Sequence, residues 1–284
     1  MKYARKSINA KSAAILGTTL FCVFNPQALA QEEKAGGGGG DLRAAAQNPI
    51  SSLVSLPFKF NFDYGAENGD GTVLNIQPVY PVTKGDWNYV NRVILPVGSV
   101  DGAISTPGNP NPSGSGSASG LGDTNYSLYL SPVKYGKVIW GAGPSLMMPT
   151  ANEDQLGSGK WSAGITGVAL SPTKWGSMGI LGRHLWSVAG DDDRADVNQS
   201  LIEPFVNYNL DNGWFLLTDL VMTANWEAPS DQTWTIPLGG GAGRIYKIGS
   251  QAVNNRLEAY YNVERPDAAP EWSWNFTFQF LFPK

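Results

Sequence analysis

Thiol chemistry is nearly absent from this chain. The one cysteine in 284 residues is Cys22, and it lies in an N-terminal leader. The rest of the chain therefore has no disulfide, thiolate metal site or cysteine nucleophile. Charge is also scarce: Asp, Glu, Lys and Arg make up 15% of residues, against about a quarter in an ordinary soluble domain. Histidine occurs once, at His184, which leaves few parts for acid–base catalysis or metal binding. The apolar run at residues 12–24 is too short for a membrane-spanning helix. Mean hydropathy is slightly negative, −0.20, unlike that of a chain crossing a bilayer with several helices. What is abundant is glycine (34), tryptophan (10), tyrosine (11) and phenylalanine (11), which suits turns, strands and interfacial aromatic girdles. Composition alone also fits a secreted β-sandwich.

The N-terminus reads as a secretory signal over residues 1–30. Lys2, Arg5, Lys6 and Lys11 precede the apolar stretch SAAILGTTLFCVF, and Ala28-Leu29-Ala30 supplies a small-x-small cleavage site. The residues before Cys22 lack the small side chain of a lipoprotein signal. Cleavage removes four of the twenty basic residues and none of the twenty-four acidic ones, taking the formal charge from −4 to −8. That balance speaks against a nucleic-acid partner.

Residues 31–57 read as a flexible leader (QEEKAGGGGG at its start) followed by a short helix. Asn48 is the expected N-cap and Pro49 the first helical residue. Ile50, Leu53 and Val54 then share one apolar face. Such a helix can pack on the rim of a barrel or sit inside it as a plug, and periodicity does not distinguish the two.

From residue 58 the hydrophobic period becomes two. Trp272, Trp274, Phe276, Phe278, Phe280 and Phe282 alternate with Ser273, Asn275, Thr277 and Gln279; Phe58, Phe60, Phe62 and Tyr64 alternate with Lys59, Asn61 and Asp63. Alternate side chains of a strand face opposite sides, and an all-aromatic face of this length suits lipid. Ten further strands are expected at 72–82, 87–97, 123–130, 137–148, 161–170, 175–188, 200–210, 214–226, 233–248 and 255–264. A bulge or sharp bend is expected at the GGGAG of residues 239–243. Connections alternate in length: loops at 65–71, 98–122, 149–160, 189–199, 227–232 and 265–271, and mostly tight turns at 83–86, 131–136, 171–174, 211–213 and 249–254. Short turns at one end and long loops at the other are the signature of an outer-membrane barrel. The expected fold over residues 58–284 is thus all-β: a transmembrane antiparallel β-barrel of about twelve strands, preceded by the short N-terminal helix.

Several segments resemble one family. They are NPISSLVSLPF (48–58), LNIQPVYPV (74–82), WNYVNRVILPV (87–97), LGDTNY (121–126), GRHLWSVAG (182–190), EPFVNYNLDNGW (203–214), WTIPLGGGAGRIYKIG (234–249), AYYNVERPDAAPE (259–271) and the final LFPK. Together they resemble the bacterial outer-membrane transporter family associated with the meta-pathway of phenol degradation, often mislabelled neuromedin U. The resemblance implies an outer-membrane barrel with a transport role. It carries no catalytic residues and no assigned substrate.

A barrel phospholipase would need an outward histidine with a serine and an asparagine. His184 lacks that spacing, and its parity sets it beside Trp186 on the apolar face, where a girdle residue is the preferred reading. The run Asp191-Asp192-Asp193 with Asp196 lacks the order of a calcium loop, so a solvated outer loop is expected. No catalytic residue, metal or cofactor is assigned. The opposite face carries the candidates. Lys59, Asp63, Arg92, Arg183, Glu203, Asp219, Arg256 and Glu258 are expected to point into the lumen, because charge facing lipid is costly. They either brace a sealed interior or line a narrow polar pore for passive passage of small solutes; a non-transporting barrel that interacts through its outer loops is the alternative. The partners expected are outer-membrane lipid and lipopolysaccharide, the barrel-assembly machinery and a small solute of unknown identity.

Overall fold

The computed structural model describes residues 39–283, so the expected signal peptide and most of the glycine-rich leader lie outside the described residues. Helix α1 spans Gly39–Ala46. Twelve strands follow: β1 (Val54–Ala66), β2 (Gly69–Ile76 with Val79–Lys84), β3 (Trp87–Asp101), β4 (Ser117–Leu121 with Thr124–Pro132), β5 (Ile139–Met148), β6 (Lys160–Pro172), β7 (Gly176–Gly190), β8 (Asn198–Asn209), β9 (Trp214–Asp219 with Met222–Asn225), β10 (Trp234–Ile248), β11 (Gln251–Glu264) and β12 (Trp272–Phe282). Each pairs antiparallel with its sequence neighbours, and β12 returns to pair with β1 from Val54↔Phe282 to Tyr64↔Trp272. The sheet therefore closes and has no free edge. An even strand count puts both termini of the barrel on one side, the inner end.

Alternation fixes which face looks out. Across the closing seam Phe58 meets Phe280 edge-on and Phe60 stacks on Phe276, both with ring centroids 6.3 Å apart. The odd-numbered partners of those strands, among them Lys59, Asp63, Asn275 and Thr277, line the interior. The ten tryptophans fall in two bands. Trp87, Trp140, Trp175 and Trp214 sit at or beside the inner ends of strands; Trp161, Trp186, Trp226, Trp234, Trp272 and Trp274 sit at or beside the outer ends. Two aromatic girdles bounding an apolar belt are the exterior of a bilayer-spanning barrel.

Several sequence expectations are corrected. Residues 48–54 are not helical. Asn48 Oδ1 accepts the Ile50 N–H (3.0 Å), and Ser51 Oγ accepts that of Leu53 (3.4 Å). Local side-chain bonds of this kind compete with a helical ladder. Val54 opens β1 because Phe282 is available as its partner, so the barrel starts four residues before 58. The helix instead forms in the stretch expected to be a flexible leader, from Gly39. The first outer connection is a tight hairpin at 67–68 rather than a loop over 65–71. Residues 239–243 carry no bulge toward β11: pairing runs unbroken from Gly239↔Tyr260 to Gly243↔Arg256, and the register shift lies at Ile236/Pro237. The glycines serve close packing instead. A Cβ on Gly243 would fall 2.3 Å from the Phe215 ring, and one on Gly241 only 2.8 Å from Glu258 Cγ.

Candidate functional site

The interior is obstructed at both ends. At the inner end α1 lies against the β8–β9 turn, where Arg43 Nη1 donates to the Leu210 carbonyl (2.8 Å) and Gln47 Nε2 to Asn209 Oδ1 (2.9 Å). The chain then enters the barrel. Ile50 is buried among Val90, Tyr129, Ile139 and Val168, and Leu53 among Phe215, Leu217, Ala252 and Leu281. The helix is thus at the rim, and the turn segment after it occupies the lumen. Burial of those two side chains accounts for the apolar period that suggested a helix there.

At the outer end the loop at 102–116 folds inward. Ser105, Thr106, Pro107 and Gly108 line the cavity, and Arg183 Nη2 donates to the Pro107 carbonyl (3.3 Å). Asn225 Nδ2 donates to Asn111 Oδ1 (2.7 Å), and Asn109, nearly fully buried, donates through Nδ2 to the Gln155 carbonyl (3.2 Å). Asp123 fastens the next loop, accepting the Ser158 N–H and hydroxyl at 2.7 and 2.8 Å.

Between plug and loop lies a cavity of about 410 Å³. Lys59, Asp63, Arg92, Arg183, Glu203, Asp219 and Arg256 all line it, while Glu258 is buried behind Arg256. Lys59, Arg92, Asp219 and Arg256 are each the sixth residue from the inner end of their strands. Glu203 is seventh and Arg183 eighth by the same count. Charges scattered over two hundred positions of sequence therefore form one belt at similar height.

Their partners differ. Arg256 Nε donates to Glu258 Oε1 (2.8 Å) and Nη2 to Asp219 Oδ2 (3.1 Å). The Tyr260 hydroxyl donates to Glu258 Oε2 (2.8 Å) and accepts the Asp219 N–H (3.0 Å). This closed network replaces missing ladder bonds. Pairing of β9 with β10 stops at Leu217↔Gly241 and resumes at Thr223↔Thr235, and in the gap the Thr218 hydroxyl bonds the Gly239 carbonyl (2.8 Å). Among the described residues Arg92 donates only to the neutral Gln77 Oε1 (3.0 Å). Among the described residues no carboxylate lies within 4.0 Å of a charged nitrogen of Lys59, Arg92 or Arg183.

Sequence parity located the charged members of the belt. It missed Tyr260, which shares the inward parity of Arg256 and Glu258, and the inward loop, whose Gly/Ser/Pro composition carries no signal of direction. Outside the barrel His184 faces outward with its ring 4.0 Å from Trp186. Its Nδ1 lies 2.8 Å from Ser200 Oγ, which also accepts the Trp226 indole N–H (2.9 Å). Spacing gave no hint of Ser200 as partner, because the β7–β8 register brings the two together.

Fold and lumen define a bilayer-type β-barrel with a charged, obstructed interior. No protein-family model matches the sequence, and no curated protein matches it. Twenty-two chains of solved structures do match. One is the COG4313 outer membrane channel from Pseudomonas putida F1, 17% identical, with 81% of this chain and 96% of that one covered and a TM-score of 0.58. At that identity the likeness is one of fold.

Proposed function

We propose that this protein is an outer-membrane channel that passes small solutes passively through its charged lumen. The observation that carries this reading is the cavity, lined in part by charged side chains, that runs from the Asn48–Pro49 turn to the inward outer loop inside a closed barrel with an apolar exterior. Eight strands leave room only for side chains and sixteen leave an open aqueous channel; twelve suits a narrow path. The sequence resemblance to outer-membrane transporters and the structural likeness to an outer membrane channel support the same reading. Neither supplies a substrate, and degradation of phenols is not part of the proposal. In this reading residues 1–30 direct export, and the aromatic face of β12 is read by the assembly machinery. The outer Trp girdle then meets lipopolysaccharide.

Single-channel recording of the refolded mature protein, followed by swelling of liposomes in a panel of solutes, tests the proposal. Conductance with solute entry supports it. Coverage of both mouths favours a second reading, a non-transporting barrel that interacts through its outer loops. A folded barrel with neither conductance nor solute entry supports that one.

A further inference from the structure

The two obstructions of the lumen are built differently, and the difference decides which of them can move. The inner one is apolar and continuous with the wall. Ile50 and Leu53 are buried in two hydrophobic clusters of the barrel, and the next residue, Val54, already pairs with Phe282. Withdrawing this segment would expose both side chains to water and pull on the closing seam.

The outer obstruction, residues 105–115 (STPGNPNPSGS), carries no aliphatic or aromatic side chain apart from three prolines. Hydrogen bonds hold it down. The Ser105 N–H donates to the Ala268 carbonyl (2.8 Å), Gln155 Nε2 to the Ser115 carbonyl (3.1 Å) and Arg183 Nη2 to that of Pro107. Asn111 is the central latch. Its Nδ2 donates to the Asp196 carbonyl (2.9 Å) and its Oδ1 accepts Asn225 Nδ2 (2.7 Å), which ties it both to the loop between β7 and β8 and to the end of β9. Water replaces bonds of this kind when a surface loop lifts, so local opening costs little. The base of the loop is anchored by contrast. Ile104 is buried with Val100 and Ala118, and the Gly102 N–H donates to the Gly116 carbonyl (3.1 Å). Gly114 and Gly116, with φ of 91° and 79°, stand where the loop rejoins this base. Glycine turns freely in that region, and a few such positions suffice to absorb the rotation of a hinge.

We propose that residues 105–115 are a lid that swings between this closed position and an open one, about Ile104 and the Gly114–Gly116 hinge, while the Asn48–Leu53 turn stays in place as a fixed constriction. The inference rests on the channel reading above and adds a gate to it. The lid sets when the lumen is open to the outside, and the turn sets how wide it is.

Residues 31–284 contain no cysteine, so introduced thiols can be joined without side reactions. Asn111→Cys with Asn225→Cys puts two thiols where the amides now bond at 2.7 Å, within reach of a short, reducible bis-methanethiosulfonate crosslinker. In single-channel recordings of the mature protein, crosslinking should cut the open time about tenfold and reduction should restore it. Neither single variant, treated alike, should lose open time. Asn111→Ala removes the latch and should lengthen the open time of the untreated barrel about fivefold, as loss of one net hydrogen bond does. Crosslinking Gln47→Cys to Asn209→Cys, whose amides bond at 2.9 Å at the inner end, should leave the open time unchanged. Deleting residues 107–113 keeps Ile104 and both hinge glycines and should give a barrel that no longer closes. Heat-modifiable gel mobility verifies folding of each variant, and the reduction arm compares one folded protein with itself. Equal open time before and after reduction, in barrels shown by mass to be crosslinked, overturns the lid and leaves the channel standing. So does a deletion barrel that closes as the wild type does, or loss of open time on the inner crosslink in place of the outer one. Conductance that appears only after the deletion makes the loop a permanent cap and overturns the lid. No conductance in either the wild type or the deletion overturns both readings.

Discussion

Removing Arg256 should destabilise the barrel far more than removing any other lumen arginine. Its guanidinium is shared by Glu258, whose side chain is fully buried, and Asp219, whose side chain is 13% exposed. Arg256→Ala leaves both carboxylates without a cation. Stripping one partner from a buried ion pair costs about 3–5 kcal/mol. Asp219 borders the cavity, where water can replace part of the lost interaction, so the lower end applies: about 3 kcal/mol, or roughly a hundredfold in the folded-to-unfolded ratio. Arg92→Ala loses one hydrogen bond to a neutral amide and should cost about 1 kcal/mol. The double variant Arg256→Met with Glu258→Leu removes the fully buried carboxylate along with its cation, leaves only the cavity-facing Asp219 without a partner, and should recover part of the loss. Guanidinium unfolding of reconstituted barrel, followed by tryptophan fluorescence and by heat-modifiable mobility, measures all three. The reasoning fails if Arg256→Ala costs no more than Arg92→Ala, or if the double variant is less stable than the single one.

Three further expectations concern topology, surface and pH. Single cysteines at Ser115, Asp192 and Ser230 should react with a membrane-impermeant thiol reagent on intact cells, whereas cysteines at Lys84, Lys174 and Asn212 should not; equal labelling of both sets would remove the assignment of ends. Replacing Phe278, Phe280 and Phe282 with Ser strips the outward face of β12 beside the closing seam, and the protein should then accumulate unassembled in the periplasm. Heat-modifiable barrel in the outer membrane after that change contradicts the assignment of faces. In the loop between β7 and β8, Asp196 accepts the Ser187 hydroxyl (3.0 Å) and lies 3.4 Å from Lys160 Nζ. Those two groups, Ser187 foremost, hold its carboxyl below the usual carboxylate range. A depressed carboxyl stabilises the folded loop above its unfolded value, and that contribution is lost as pH falls through the lowered one. Amide exchange across residues 191–197 should therefore accelerate at acid pH beyond the intrinsic rate change, and the excess should vanish in Asp196→Asn.

The sequence by itself determined the barrel and its two faces. Period-two runs such as Phe58-Phe60-Phe62 and Trp272 to Phe282 encode orientation locally, because each side chain's face follows from its place in the strand. The same parity put Lys59, Arg92, Glu203, Asp219 and Arg256 on the side that lines the cavity. Alternating connection lengths supplied the order of strands, since hairpin neighbours pair. What the tertiary structure decided lies in contacts between strands distant in sequence and in segments with no period of their own. The Asn48–Leu53 turn took its shape from a lumen that existed only once the barrel closed, and a helix of the same residues would have left Val54 unable to pair with Phe282. Tyr260 became the bridge between Asp219 and Glu258 because β9 breaks beside β11's neighbour. The 102–116 loop turned inward because Arg183 and Asn225 offered donors there. Strand register placed Ser200 against His184. Local periodicity carries the direction of a side chain, whereas which distant groups share a height in the barrel depends on register and closure, and these are properties of the whole sheet.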